Sequence, residues 1–69
     1  MKYTGRYITK YSKLLKQDVD ILEYRSKDGI PYCDCDRCGK PIKRLMYVVQ
    51  DPETGLEIMY LGSECIKSV

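Results

Sequence analysis

Four cysteines in a chain of 69 residues are the strongest constraint on how this sequence can fold. Three of them lie within six positions, in the pattern Cys33-x-Cys35-x2-Cys38, and Cys65 follows after twenty-six further residues. A chain below roughly 80 residues buries little apolar surface, so small folds commonly add a disulfide, a metal ion or a partner. The cysteines are therefore the expected source of additional stability.

The apolar side chains of the sequence point to a thin core. All seven aromatic residues are tyrosines, and the chain has no Trp or Phe. Each buried tyrosine hydroxyl needs a hydrogen-bond partner, which limits how much of a core tyrosines can form. This composition strengthens the expectation that the fold depends on its cysteines.

The expected compartment of the protein bears on the state of these thiols. No apolar run approaches the roughly 20 residues that a membrane-spanning helix needs, and no apolar signal-peptide core follows residues 1–6. We therefore expect a cytoplasmic protein without membrane association. Thiols stay reduced in the cytoplasm, so clustered cysteines there indicate a metal site before disulfides.

The segment from Cys35 to Gly39 has the spacing of a zinc knuckle. Two cysteines separated by two residues can direct both sulfurs at one ion, and the following glycine accepts a left-handed conformation that frees backbone amides for the thiolates. With Cys33 and Cys65, the chain offers four thiolates for one structural Zn²⁺ per chain. Two disulfides, a redox-active Cys-x2-Cys pair and an iron–sulfur cluster are weaker alternatives.

Two hairpins are predicted on either side of the knuckle. The first covers residues 19–33, where an alternating segment reaches a turn signal at Asp28-Gly29. The second joins residues 44–50 to residues 56–61 through a turn that contains Pro and Gly, and its first strand is rich in β-branched and aromatic residues.

Both ends of the chain carry helical signals. Gly62 ends the second hairpin, and Ser63 is a favourable N-cap for a short C-terminal helix. Residues 1–18 form a basic segment whose pattern fits either a helix or a strand, and Leu14-Leu15 favours a short helix.

The order of these features resembles the treble-clef zinc finger. A knuckle, a hairpin and Gly62-Ser63-Glu64-Cys65 at the start of a helix occur in residues 33–69 in the order that this fold group has. The resemblance implies a small zinc-stabilised α+β domain, a single unit over residues 1–69. The same motifs, with Cys-x2-Cys-Gly-Lys-Pro-Ile and Leu-Gly-Ser-Glu-Cys, also resemble small uncharacterised proteins of bacteriophages and Gram-positive bacteria.

The sequence departs from the treble clef at the last ligand position. That fold group places a further ligand three residues beyond Cys65, where this chain has Ser68, and the chain contains no histidine. Cys33 is the expected replacement, which gives the ligand set Cys33, Cys35, Cys38 and Cys65. If Cys33 does not reach the ion, the fourth ligand would be a carboxylate oxygen of Asp34, Asp36 or Glu64.

Basic residues cluster in two places, although the net charge is only +2. One cluster opens the chain, where it interleaves with Tyr3, Tyr7 and Tyr11, and the other flanks the knuckle. Four thiolates on Zn²⁺ carry a net charge near −2, which the second cluster would offset. Basic residues can also contact nucleic acid or a protein, whereas the tyrosines are expected to pack. The candidate contact residues are Lys10, Lys13, Arg37, Lys40, Lys43 and Arg44.

Two classes of function fit these features. A non-enzymatic protein-interaction module, for example a phage-encoded modulator of a host complex, is expected first. A nucleic-acid-binding zinc module that uses the basic clusters at residues 2–16 and 37–44 is the alternative. No enzyme, catalytic residue or small-molecule substrate is expected, because four thiolates would leave zinc without an open coordination position.

Overall fold

The chain forms six strands and one short 3₁₀ turn in a computed structural model that describes residues 1–69. The strands are β1 Lys2–Ser12, β2 Gln17–Arg25, β3 Cys33–Asp34, β4 Pro41–Ile42, β5 Leu45–Gln50 and β6 Glu57–Leu61, and the 3₁₀ turn is Cys65–Ser68. Four strands make an antiparallel sheet of order β1-β2-β5-β6, and β3 pairs with β4 in a separate ladder. The chain therefore leaves the sheet after β2, forms the small ladder and returns at β5.

The core of the sheet consists of aliphatic residues from β2, β5 and β6. Val19, Val49 and Leu61 have no exposed surface, and Val48 is 1% exposed. Branched side chains pack well on a pleated surface, which favours strands at these positions. Val48 and Val49 are neighbours in β5 and point to opposite faces, so their joint burial means that both faces of this strand are covered.

Two different segments of the chain cover the two faces of β5. The C-terminal turn packs on the core through Ile66 and Val69, and Lys10 Nζ donates a hydrogen bond to the main-chain oxygen of Val69 at 2.7 Å. The segment that contains β3 covers the other face, where Cys33 Sγ lies 3.8 Å from Met46 Sδ. Both cysteine-bearing segments are thereby held against the same sheet.

The second predicted hairpin is confirmed. β5 pairs with β6 in antiparallel register, for example Val48 with Tyr60. The connecting turn closes through hydrogen bonds from Gly55 N to Asp51 O at 2.8 Å and from Glu53 N to Asp51 Oδ1 at 2.8 Å. Gly55 has φ +73°, a conformation that glycine adopts without a steric penalty.

The preference for a helix in residues 1–18 is wrong, because this segment forms strand β1. β1 pairs with β2 from Lys2 opposite Arg25 to Ser12 opposite Gln17. A register shift interrupts the ladder between Tyr3 and Tyr7. Pairing with β2 satisfies the backbone hydrogen-bonding groups of this segment, whose own helical signal was weak. Such tertiary contacts commonly override local conformational preference.

The first predicted hairpin, over residues 19–33, is also wrong. β2 pairs with β1 and β5, and Cys33–Asp34 pairs instead with Pro41–Ile42. The turn around Asp28 does form, with Ile30 N donating to Asp28 Oδ1 at 3.0 Å. It redirects the chain away from the sheet, because both edges of β2 are already occupied.

The predicted C-terminal helix is reduced to a single 3₁₀ turn. Glu64 rather than Ser63 occupies the cap position, and no side chain caps the turn. A helix this short is unstable alone, so its conformation depends on what it packs against. This four-residue turn is the chain's only helical segment, and it is far too short to span a bilayer.

Candidate metal centre

Cys35 and Cys38 lie in a tight turn between β3 and β4. The ladder pairs Cys33 with Ile42 and Asp34 with Pro41. Beyond it, Cys35 N donates to Lys40 O at 2.8 Å, and Gly39 N donates to Cys35 O at 2.9 Å. Gly39 has φ +76°, the left-handed conformation that the sequence predicts for this position.

The knuckle is attached to the sheet through a reciprocal pair of hydrogen bonds. Asp36 N donates to Tyr60 O at 2.9 Å, and Tyr60 N donates to Asp36 Oδ2 at 2.7 Å. Tyr60 lies in the edge strand β6, so these bonds satisfy part of an edge that would otherwise be unpaired. They also fix the position of the knuckle relative to the strand that leads to Cys65.

The chain after β6 folds back so that Cys65 meets the knuckle. Ile66 N donates to Gly62 O at 3.1 Å, which closes the turn that carries Cys65. The Sγ atoms of Cys35, Cys38 and Cys65 all lie within 4.8 Å of one another. Three thiols from two distant segments thus form one cluster.

The dimensions of this cluster fit a zinc ion. Tetrahedral coordination with Zn–S bonds of about 2.3 Å places sulfurs about 3.8 Å apart. Because no two of the three Sγ atoms are more than 4.8 Å apart, each Sγ–Sγ distance would need to shorten by about 1 Å or less to bind one ion. Cys35 is buried, Cys65 is half-buried and Cys38 is exposed. A metal can therefore reach the site from solvent through the side of Cys38.

The surroundings of the cluster set the acidity of two of its thiols. Burial opposes ionisation of Cys35, but the backbone amides of Cys38, Gly62 and Arg37 and the thiol of Cys65 stabilise its thiolate and lower its pKa to about 6. Hydrogen bonding to Cys35 and Cys38 raises the pKa of Cys65 to about 11. Cys35 thus offers a thiolate, the metal-binding form, near neutral pH.

The expectation that Cys33 completes the ligand set is not met. Its Sγ contacts Met46 Sδ at 3.8 Å, and Cys33 is not part of the three-thiol cluster. Burial, followed by the nearby Asp36 carboxylate, raises the pKa of the Cys33 thiol. The cause is positional, because Cys33 belongs to the β3–β4 ladder and packs against β5.

None of the predicted substitute ligands joins the cluster either. Asp36 uses Oδ2 to accept the hydrogen bond from Tyr60 N. Asp34 and Glu64 are exposed and lie outside the group of potential ligands that the three cysteines form. Their proximity in sequence to the cysteines does not bring their carboxylates to the centre of the cluster.

A groove of about 460 Å³ has all three clustered cysteines in its wall, and we call it the cysteine groove. Its charged lining residues are Lys40, Lys43, Arg44 and Glu64. Three of the six predicted contact residues therefore meet at the cluster. Positive charge exceeds negative charge in this lining, which favours anions in the groove.

The other predicted contact residues lie elsewhere. Lys10 is bound to the main-chain oxygen of Val69, Lys13 lies in the turn between β1 and β2, and Arg37 is exposed within the knuckle turn. The six residues do not form one continuous surface. Sequence analysis assigned them to two clusters, at residues 2–16 and 37–44, and only residues of the second cluster line the cysteine groove.

The prediction that the N-terminal tyrosines pack is wrong for Tyr7 and Tyr11, which are 61% and 57% exposed. Tyr3 is 41% exposed, and its ring centroid lies 5.5 Å from that of Tyr24. β1 is an edge strand, so its tyrosines have neighbours on one side only. Sequence analysis missed this because the same spacing fits a helix with one packed face.

The strand register places Lys10 and Tyr11 on opposite faces, although Arg6, Tyr7 and Lys10 line one groove at the edge of the sheet. Tyr7 pairs with Leu22 and Tyr11 with Asp18, whereas Lys10 pairs with Val19. Paired residues share a face, and consecutive residues alternate between faces. The tyrosines therefore share a face with the carboxylate of Asp18, and Lys10 lies on the other face.

Sequence analysis named Asp36 as a possible ligand but missed the contacts that connect the knuckle to the sheet. Asp36 and Tyr60 form the reciprocal bonds, and Ile66 anchors the C-terminal turn. The only sequence signal was an aspartate directly after the first knuckle cysteine. Comparison of the chain with protein families, curated proteins and solved structures gives no match.

Proposed function

We propose that this protein is a metal-stabilised protein-interaction module, non-enzymatic, with one Zn²⁺ per chain bound by Cys35, Cys38 and Cys65. The observation that carries the metal part is the mutual approach of the three Sγ atoms to within 4.8 Å. Zinc fits this proposal because thiolates are its preferred structural ligands. In this account the metal fastens the C-terminal turn to the knuckle.

The competing uses of the cysteines fit the geometry less well. One disulfide among the three clustered thiols would leave the third unpaired, and the remaining cysteine, Cys33, contacts Met46 instead. The Cys35-x2-Cys38 pair lies in a turn between two short strands, whereas a thioredoxin-like redox pair opens a helix. A reducing, cytoplasmic environment is part of the proposal, since it keeps the thiols available for zinc.

The treble-clef relationship is part of this proposal as well. The chain has a knuckle, a β-hairpin and a helical turn that begins at Cys65, in that order. In this interpretation the C-terminal helix of the fold group is shortened to one 3₁₀ turn. The proposed metal would supply the stability that the longer C-terminal helix supplies in other members of the fold group.

The interaction part of the proposal rests on strand β1. It is an edge strand, so one side of its backbone lacks a partner strand. It also exposes apolar side chains on both faces, since Tyr7, Ile8 and Tyr11 are each more than half exposed. An extended segment of a partner protein can add to such an edge through backbone hydrogen bonds. The resemblance to phage proteins suggests that the partner belongs to a host complex.

Nucleic acid is the less favoured occupant of this surface. Bases stack on aromatic rings while nearby basic residues contact the phosphates. Here the exposed ring of Tyr11 lies opposite Asp18 on the same face, and Lys10 is on the other face. At Tyr11 a phosphate backbone would therefore meet the Asp18 carboxylate, whereas Arg6 and Lys10 line a groove with Tyr7 only.

Recovery of the tagged full-length protein from the cells that produce it tests the interaction proposal. We expect a protein partner to be retained by the wild-type chain and lost by the double variant Tyr7→Ser, Tyr11→Ser. Ile30→Ser is the matched control, because Ile30 is 65% exposed but lies between β2 and β3, outside strand β1. Recovery of nucleic acid that is released as salt rises would contradict the proposal and support the alternative.

A further inference from the structure

We infer that the metal centre keeps one coordination position for an anionic sulfur ligand from outside the chain, a thiolate that enters through the cysteine groove. The inference rests on the proposed metal site. It adds a ligand class and a route of entry that the structural role of the metal does not require.

The number of available donors supports this inference. A divalent zinc ion takes four ligands in a tetrahedral arrangement, and the cluster offers three sulfurs. No other cysteine or carboxylate of the chain joins the cluster, although Glu64 lines the same groove. Cys33 Sγ contacts Met46 Sδ, and Asp36 Oδ2 accepts the hydrogen bond from Tyr60 N.

The position of the groove gives the missing ligand a path. Cys35, Cys38 and Cys65 all line it, and its volume of about 460 Å³ admits a small molecule or the side chain of a bound peptide. Cys38 is exposed, so the cluster faces solvent on this side. A ligand in the groove can therefore approach the three sulfurs without displacing the core.

Charge indicates which ligand the groove would take. A divalent ion with three thiolates has a net charge of −1, and an anionic fourth ligand brings it to −2. Lys40, Lys43 and Arg44 line the groove and can offset this charge, against a single carboxylate from Glu64. Among anions, a thiolate suits a sulfur-bound zinc site better than a carboxylate does. When an external thiol binds, its S–H proton passes to solvent as the sulfur–metal bond forms.

Cobalt substitution provides the test, because Co²⁺ reports its sulfur ligands through the intensity of charge-transfer absorption. The full-length protein is loaded with one Co²⁺ and titrated with 2-mercaptoethanol, and dialysis confirms that the cobalt stays bound. We expect the absorption per cobalt to start at the level of three thiolates and to rise by about one third, while an equal amount of acetate leaves it unchanged.

Two variants identify the fourth ligand within the chain, if there is one. We expect Cys33→Ser and Glu64→Gln each to leave the cobalt absorption unchanged and the cobalt affinity within about threefold of wild type. Loss of a supporting residue typically lowers metal affinity about 10- to 100-fold, and loss of a true ligand should lower it at least as much. A one-quarter loss of absorption in Cys33→Ser would identify Cys33 as the fourth ligand and overturn the inference. So would thiol binding that appears only in Glu64→Gln.

A third comparison tests the role of charge in the groove. Lys43→Gln should weaken thiol binding to the cobalt protein, while Lys67→Gln, whose side chain does not line the groove, should leave it unchanged. If the wild-type protein binds cobalt with three thiolates but no added thiol changes its spectrum, the inference is wrong and the metal site stands. If the protein binds no cobalt, the metal proposal itself fails.

Discussion

The four-stranded sheet and the cysteine-bearing segments, residues 26–44 and 62–69, differ in what holds them in place. We call the second region the cysteine lobe. The sheet has continuous ladders and a core that includes Val19, Val49 and Leu61. The lobe has two strands of two residues and one 3₁₀ turn, and only Cys35, Ile42 and Val69 are buried in it. Burial and backbone pairing therefore account for the sheet, and they leave the lobe dependent on its thiols.

The attachment of the lobe to the sheet is local. Two bonds between Asp36 and Tyr60 hold the knuckle, and one bond from Lys10 holds Val69. These hydrogen bonds are few, and a bond of this kind contributes about 1 kcal/mol net. In our account the metal binds the knuckle and the C-terminal turn to each other, so that these weak attachments stabilise the whole lobe together.

The largest expected effect follows from loss of the thiol that joins the two parts of the lobe. Cys65→Ser should lower zinc affinity at least about 100-fold and release the C-terminal turn. Hydrogen exchange reports the release through the amide of Ile66, which donates to Gly62 O. Amides of β2 and β5 should keep their protection. Equal loss of protection in sheet and lobe would show that the two regions are not distinct.

The sheet should respond instead to loss of apolar burial. Leu61→Ala should lower the free energy of unfolding by about 2–5 kcal/mol, because the side chain has no exposed surface and leaves a cavity. Ile58→Ala is the matched control on the same strand, since Ile58 is 37% exposed. Urea unfolding of the zinc-loaded proteins measures both. A similar loss in the two variants would contradict the placement of the core.

The contact between the two regions should have an intermediate effect. Asp36→Ala removes the acceptor of the 2.7 Å bond from Tyr60 N and should cost about 1 kcal/mol of stability. Asp34→Ala removes an exposed carboxylate from the same segment and is the control. Zinc affinity should fall with stability in Asp36→Ala, because the knuckle loses its fixed position. Equal effects of the two changes would mean that the Asp36–Tyr60 contact does not link the regions.

The smallest effect concerns the turn between β1 and β2, within the sheet region. Lys16 has φ +56°, a left-handed conformation that disfavours residues with a side chain. Lys16→Gly should raise stability by about 0.5 kcal/mol, because relief of this strain exceeds the entropic cost of glycine. Lys13→Gly, in the same turn at a position without positive φ, should lower it. Thermal unfolding checks both expectations, since the midpoint temperature should rise in Lys16→Gly and fall in Lys13→Gly.

The parts of the fold that sequence predicts well are those with short-range signals. The β5–β6 hairpin follows from a β-branched strand and a Pro- and Gly-containing turn, and the knuckle turn follows from Cys35, Cys38 and Gly39. Each of these depends on residues close together in sequence. The clustering of Cys65 with the knuckle was anticipated too, because Gly62-Ser63-Glu64-Cys65 after a knuckle and a hairpin resembles the treble clef, in which a metal holds the start of the helix.

The parts that sequence missed depend on long-range pairing. Residues 2–12 have a pattern that fits a helix or a strand, and the choice is made by β2, which offers them an unpaired edge. The same pairing excludes residues 30–33 from the sheet, because β1 and β5 occupy both edges of β2. Cys33 then lies in β3 against Met46 rather than beside Cys35.

Mass measurement of the purified protein under native conditions tests the central claim most directly. We predict one zinc per chain in the wild-type protein and in Cys33→Ser, and none in Cys65→Ser. Zinc binding adds the mass of one ion less the protons displaced from the thiols, whereas two disulfides would lower the mass by that of four hydrogens. A folded wild-type chain that has no metal would contradict the account.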